Sequence, residues 1–286
     1  MPPTMSADYF SMYSGGMFSN STPDDLMASP VKKLDKSEAL IKARSLLETK
    51  AIHVDVPPVS DDFILRFLNA RKMNIENCVQ LMLNYFDHRK KNPALFENLT
   101  VNDPLTQSCL RDGLPLVLKN RDRKGRCVVL FLIYSWDHSK YSIETIYKAL
   151  LLTMEYLLED IQNQVNGFVF AVDWTNFKLR DYIDVSPKMV KLMVDGFQDA
   201  FPSKFKGLHF IGQPWYVDGI ITVIKSFLKE KTKQKFIVHG SNLSSLHEYL
   251  PRDVLPPELG GEGTAYRTDE WIELLKNYEN RTSLQS

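Results

Sequence analysis

His247 and Glu248 stand together like the opening of a zinc-protease HExxH motif. Tyr249, Leu250 and Pro251 follow, however, and no second histidine closes the site. The six histidines, His53, His88, His138, His209, His239 and His247, show no ligand spacing. His209 and His239 fall inside apolar runs and are expected to be hydrogen-bonded structural side chains. Asp173 ends the run FVFAVD, where α/β enzymes place catalytic acids, yet nothing nearby suggests a base or nucleophile, so a cap or hydrogen-bond acceptor is expected. There is no P-loop, no GxSxG and no GxGxxG between a strand and a helix. Gly260 to Gly263 follow Pro256-Pro257 and open no helix, which reads as a turn. The expectation is a chain without catalysis, metal or cofactor.

Charge is more informative. Lys plus Arg and Asp plus Glu each number 35, so no global polyelectrolyte character is available to hold nucleic acid. Between 201 and 240, however, seven lysines (Lys204, Lys206, Lys225, Lys229, Lys231, Lys233, Lys235) face only Asp218 and Glu230. Lys204 and Lys206, at i and i+2 before a strand, can point the same way, and Lys231 and Lys235 share a face if a helix carries both. Trp215 and Tyr216 beside them suit a headgroup-level interface.

These side chains need a frame. Residues 1–31 contain no Lys or Arg, are rich in Ser, Met, Pro and Gly, and read as a disordered tail whose Met and Phe residues could mark a binding motif. Helical periodicity then runs through 32–112. Ser60 caps one helix, Asn74 opens another, Pro93 stops it, and Asp103-Pro104 begins the last short one before Gly113. From 113 to 262 strands alternate with helices, and the apolar runs FVFAVDW, LHFIG and FIVH read as strands of a mostly parallel sheet. PLVLKN and RCVVLFLIY read as a hairpin, Ser142 to Gln164 as one long helix, Ser186-Pro187 as the start of another, and Pro214 to Lys231 as a further one. A C-terminal helix and tail occupy 263–286. The fold class is therefore α/β, with an all-helical lobe ahead of the sheet.

The chain carries no apolar run long enough to span a bilayer, the longest being VVLFLIY at 128–134. MPPTMS lacks the features of a signal peptide, and Pro2 stands where a myristoyl anchor needs glycine. Cys78, Cys109 and Cys127, odd in number and widely spaced, are expected to be reduced, as in a cytoplasmic chain. Apolar side chains exceed the needs of a sheet. IETIYKALLLTMEYLL is apolar around most of its circumference, Met189, Met193, Gly196, Phe197 and Ala200 form one stripe, and the Pro214 helix adds another. Flexible methionines suit a cavity that accepts a ligand, although simple core filling accounts for the same pattern.

FILRFLNARKMNIENCVQLMLNYFDHRKKNP resembles the helical lobe of the CRAL-TRIO lipid-binding family. NGFVFAVDWTNF, FPSKFKGLHFIGQPWY, IKSFLKEK, VHGSNLSSLHEYL and LPPELGG resemble successive blocks of its lipid-binding lobe. The resemblance covers about 60–276 and points to the clavesin, cellular retinaldehyde-binding and alpha-tocopherol transfer branch. It implies a lipid pocket between sheet and helices, closed by a gate helix over about Pro214 to Lys231. Carried over residue by residue, it implies pocket walls at Tyr147, Leu150, Leu151, Met154, Phe168, Val172, Leu179, Met193, Phe197 and Leu208, with Ile220, Val223, Ile224 and Phe227 on the gate. It also implies phosphoinositide contacts at Lys204, Lys206, Lys231 and Lys235, with Lys233 a plausible addition. Leu150 and Met154 stand where the tocopherol branch has two pocket serines, which weakens tocopherol as the ligand. The resemblance thus implies a cytoplasmic protein that holds a hydrophobic small molecule or lipid and docks reversibly on endosomal or other trafficking membranes bearing phosphatidylinositol bisphosphate. The alternative is a non-transporting trafficking adaptor with a vestigial pocket.

Overall fold

The protein is described here from a computed structural model covering residues 35–52, 54–178 and 186–283. The expected tail and the expected pocket residue Leu179 lie outside the described residues. From Lys36 onward the chain forms one compact unit.

Five helices come first: α1 (Lys36–Lys50), α2 (Asp61–Ala70), α3 (Ile75–Lys91), α4 (Pro93–Phe96) and α5 (Pro104–Arg111). Their starts follow the capping residues. The side chains of Ser60, Asn74 and Asp103 accept from the backbone N–H of Phe63, Asn77 and Thr106, satisfying donors that a helix start leaves unpaired. Ile64, Phe67, Leu68, Cys78, Leu81 and Met82 bury the apolar stripes of α2 and α3 against one another. α2 ends at Ala70. Arg71 is its C-cap, and Lys72 and Met73 turn into the left-handed region at φ 54° and 62°. The Met73 N–H then closes onto the Leu68 carbonyl at 2.8 Å.

The sheet runs β1 (Leu116–Val117), β2 (Cys127–Leu132), β3 (Phe168–Asp173), β4 (Phe205–Ile211) and β5 (Phe236–Gly240), in that spatial order. β1 and β2 form the expected antiparallel hairpin, and the other pairs are parallel. Between them lie α6 (Ile143–Leu157), α7 (Ile161–Asn166), α8 (Pro187–Asp195), α9 (Asp218–Phe227) and α10 (Glu230–Lys233), followed by α11 (Leu243–His247) and α12 (Thr268–Ser283). Parallel strands in sequential order with right-handed crossovers put the connecting helices on one face. The other face packs Val128, Leu130, Val169, Ala171 and Ile211 against Leu246, Leu250, Val254, Leu255 and Leu259 from the C-terminal segment.

Three helices differ from their sequence readings. The long helix from Ser142 breaks after Leu157, because Asp160 starts α7 anew by accepting from the Gln162 N–H. α8 does not continue as an α-helix to Ala200 but widens into a π-helical turn over Gly196–Ala200. The helix expected over Pro214–Lys231 is a 3₁₀ turn at Trp215–Val217, then α9, then an extended Leu228 and Lys229 before α10. Lys231 and Lys235 therefore do not continue one helix. α12 returns to the start of the fold, where Glu279 accepts from the Thr100 hydroxyl (2.8 Å) and the Val101 N–H (2.5 Å) and the Trp271 indole donates to Thr153 (3.2 Å).

Candidate functional site

Strand parity decides which residues can meet a ligand. Phe170 and Val172 on β3 and Leu208 and Phe210 on β4 lie on the face opposite Val169, Ala171, His209 and Ile211. The register sets Phe170, Leu208 and Phe236 in one row and Val172, Phe210 and Val238 in the next. A β-bulge between the pairs Phe168–Phe205 and Val169–Gly207 leaves Phe205 stacked on Phe170, with centroids 6.0 Å apart.

Burial divides the expected pocket residues into two groups. Tyr147, Leu150, Leu151, Met154, Phe168 and Ile220 are buried. Val172, Met193, Phe197, Leu208, Val223, Ile224 and Phe227 are only half-buried. Val172 and Leu208 belong to the two innermost parallel strands, where the opposite face is fully packed, so accessible area there is a property of this face alone. Val238, missed by the sequence reading, keeps 39% of its surface exposed on the edge strand.

α9 packs on α8. It has non-helical breaks at both ends, the 3₁₀ turn before it and the extended Leu228 after it. Trp215 in that first turn is 80% exposed, while the Tyr216 hydroxyl donates to the Phe177 carbonyl. Beyond the second break, the Lys229 N–H donates to Gln198 (2.8 Å) and its ammonium pairs with Asp199, both on the π-helical turn.

The basic residues converge at the ends where β2, β4 and β5 begin. The Phe168 N–H donates to the Lys204 carbonyl and the Leu208 N–H to the Lys235 carbonyl, which sets the two lysines on adjacent chain entries. Gly167, at φ 83°, makes this approach possible, since a Cβ there would lie 2.2 Å from the Lys204 carbonyl oxygen. Burial lowers the Lys204 ammonium, and Lys206 and Lys72 lower it further. Lys206 is lowered by burial, then by Lys72, Arg126 and Lys124; Lys235 by burial, then by Lys206, Lys231 and Lys72. The causes acting on these three amines include no carboxylate, and among the described residues none of Lys72, Lys204, Lys206, Lys231 and Lys235 makes an ion pair. Like charges gathered this way present donors to an anion. Lys233, by contrast, pairs with Glu230 at 2.6 Å.

Sequence reasoning missed Lys72, Lys124 and Arg126 because its count covered only 201–240. The run RDRKGR at 121–126 carried a signal, whereas the placement of Lys72 depends on the left-handed turn after α2.

Asp173 accepts from the Thr175 N–H at 2.9 Å, the acceptor role expected of it. His209 Nδ1 and His239 Nε2 lie 2.9 Å apart, and His239 Nδ1 lies 2.7 Å from the Ser245 hydroxyl. Burial, then the second imidazole and Arg126, push His209 down to about 4, against a weaker opposing pull from Asp122. His209 is thus neutral in the fold while the unfolded chain protonates near 6.5. The stability this contributes, roughly 3 kcal/mol, is present above that pH and is lost as pH falls through about 4. Melting temperatures of the wild type and His209→Gln, followed downward from neutral pH, should show a shallower acid decline in the variant. Equal slopes would assign the decline to other groups.

Residues 111–261 match the CRAL/TRIO domain, more than half of the chain. This chain belongs to that family. Among relatives, it is 43% identical over 215 residues to clavesin-1 of Xenopus laevis, covering 75% of this chain and 65% of that protein. It is 41% identical over 219 residues to human clavesin-2, covering 77% of this chain and 67% of the other. The chain thus spans about two thirds of the length of these clavesins. A solved structure titled "Crystal structure of Sfh5" covers 88% of this chain and 98% of its own with a TM-score of 0.56 at 15% identity, a likeness of fold alone. The CRAL/TRIO domain comprises the sheet, its crossover helices and the segment closing the second face, with the helical lobe ahead of it. Among the described residues no helix is long and apolar enough to cross a membrane.

Proposed function

We propose that this CRAL/TRIO protein holds one hydrophobic ligand, of retinoid, tocopherol or similar lipid type, between the helix-facing side of the sheet and α8 and α9, and docks reversibly on membranes rich in phosphatidylinositol bisphosphate. The observation that carries the ligand part is that Val172 and Leu208 on the innermost strands, and Met193, Phe197, Val223, Ile224 and Phe227 on the helical segments, are all only half-buried. α9 acts as the gate. Its two backbone breaks are the hinges, and its apolar face covers the ligand when closed and meets lipid when open. At about 0.8 kcal/mol per methylene, a twenty-carbon lipid is roughly 16 kcal/mol unfavourable in water, so a sleeve with a lid replaces free diffusion. Lys204, Lys206, Lys231 and Lys235 take the headgroup phosphates, joined by Lys72, at endosomal or other trafficking membranes reached from the cytoplasm. No catalysis is part of this reading.

Complete burial of Tyr147, Met154 and Phe168 favours a second reading, an adaptor whose vestigial pocket is filled by its own side chains. Native mass spectrometry with lipid extraction, on protein purified from its own cells, separates the two. A defined co-purifying apolar molecule is expected. Protein that arrives empty and also refuses lipids offered in vitro would establish the adaptor.

A further inference from the structure

Five buried side-chain polar atoms lack a hydrogen-bond partner among the described residues: His88 Nε2, Arg89 Nε, Tyr147 Oη, Trp174 Nε1 and Gln213 Oε1. The first three belong to residues lining one small cavity, of about 10 Å³, between the helical lobe and the CRAL/TRIO domain. Its wall also includes Leu151 from α6 and Gly196, Ala200 and Phe201 from the π-helical turn and its end. Leaving a buried donor or acceptor unpaired costs about 1–3 kcal/mol, so three on one cavity need a common partner. Nearby polar groups are already engaged. Glu155 accepts from the Tyr85 hydroxyl (2.9 Å) and from Arg89 Nη2 (2.7 Å), leaving Arg89 Nε over.

The cavity is built to stay open. A Cβ on Gly196 would lie 2.1 Å from Tyr147 Oη and 3.1 Å from His88 Nε2, so the absent side chain is what leaves room between the two polar atoms. The π-helical turn begins at that glycine, a distortion that recurs at functional sites. The cavity also adjoins the proposed lipid space. The Tyr147 ring meets the half-buried Phe197 edge-on at 5.9 Å, and Phe197 meets Phe170 on the sheet at the same spacing.

Resting on the ligand reading above, we infer that Tyr147, His88 and Arg89 form a polar anchor for the end of the apolar ligand, and that this end is a single hydroxyl. A hydroxyl accepts from Tyr147 Oη–H or Arg89 Nε–H and donates to His88 Nε2, using both senses of hydrogen bonding that the three atoms offer. With the His88 proton on Nδ1, an aldehyde oxygen, which accepts only, leaves Nε2 unpaired. A phosphate or carboxylate is too large for this volume. Burial raises the Tyr147 phenol, keeping it a donor, and burial lowers the His88 imidazole, keeping one nitrogen free to accept. The absence of pocket serines on α6, where Leu150 and Met154 stand, is then answered by a polar group one turn earlier on the same helix.

The test uses the full chain loaded with Nile red, displaced by octadecanol, octadecanal or octadecane. Octadecanol should bind about tenfold more tightly than octadecane, with octadecanal between them, and Tyr147→Phe should bring the alcohol and the alkane together. His88→Phe, an independent variant in case the first fails to fold, should do the same. If all three compounds displace equally from the wild type, the cavity holds only a water, and the anchor is wrong while the ligand reading stands. If none displaces and Nile red itself does not bind, the ligand reading fails and takes the anchor with it.

Discussion

A variant with Lys204→Ala, Lys206→Ala, Lys231→Ala and Lys235→Ala is expected to bind vesicles containing phosphatidylinositol bisphosphate about a thousandfold more weakly than the unaltered chain. A basic side chain near an anionic surface contributes about 1 kcal/mol, so four contribute roughly 4 kcal/mol, enough for reversible docking and too little for permanent anchoring. The fold should tolerate the change. Lys204 and Lys235 each donate to a backbone carbonyl, of Val165 and Phe205, but the amines also repel one another, and their removal relieves that repulsion. Flotation at two salt concentrations checks the result, since the attraction is screened over about 8 Å at physiological ionic strength. Equal binding of the unaltered chain to neutral and bisphosphate-containing vesicles would remove the headgroup site from the proposal. Lys72→Ala alone should give a smaller loss in the same assay.

Glu155→Leu should destabilise the protein by about 2–3 kcal/mol, lowering its melting temperature by several degrees. Glu155 projects from α6 to the Arg89 guanidinium and the Tyr85 hydroxyl on α3, and so ties the helical lobe to the CRAL/TRIO domain. Arg89 stacks over the rings of Tyr85 and Phe96, at 4.5 and 4.6 Å from their centroids, in surroundings that strip water from it. Without Glu155 the half-buried guanidinium loses that carboxylate while part of it stays shielded from water, which costs more than losing an exposed pair. The double variant Arg89→Leu, Glu155→Leu should recover most of the loss. Calorimetry of both variants decides the matter, and a single-variant loss below about 1 kcal/mol would mean that water already compensates Arg89.

The sequence by itself determined the order of elements and the fold class. Caps at Ser60, Asn74 and Asp103 mark helix starts by satisfying local donors, and strands buried on both faces read as continuous apolar runs. Both signals lie within a few residues of the feature they specify, and the sequence blocks that carry the family likeness are equally local. It also picked out the lysines of 201–240, because they are close together in the chain.

Tertiary structure decided the rest, because the remaining relations join residues far apart in sequence. Which side of β3 and β4 keeps accessible surface depends on what packs on the other side, and Leu246 to Leu259 do that from the far end of the domain. Lys72 joins the lysines of β4 and β5 only through a left-handed turn and the docking of the helical lobe. Three helices break or widen where capping or packing outweighs the apolar periodicity, at Leu158, Gly196 and Leu228. The sequence places Tyr147 among the pocket walls on α6, with Leu150, Leu151 and Met154 after it, but gives its hydroxyl no partner and so no role at a ligand head. His88 and Tyr147 meet only because two lobes close over a glycine that leaves space between them.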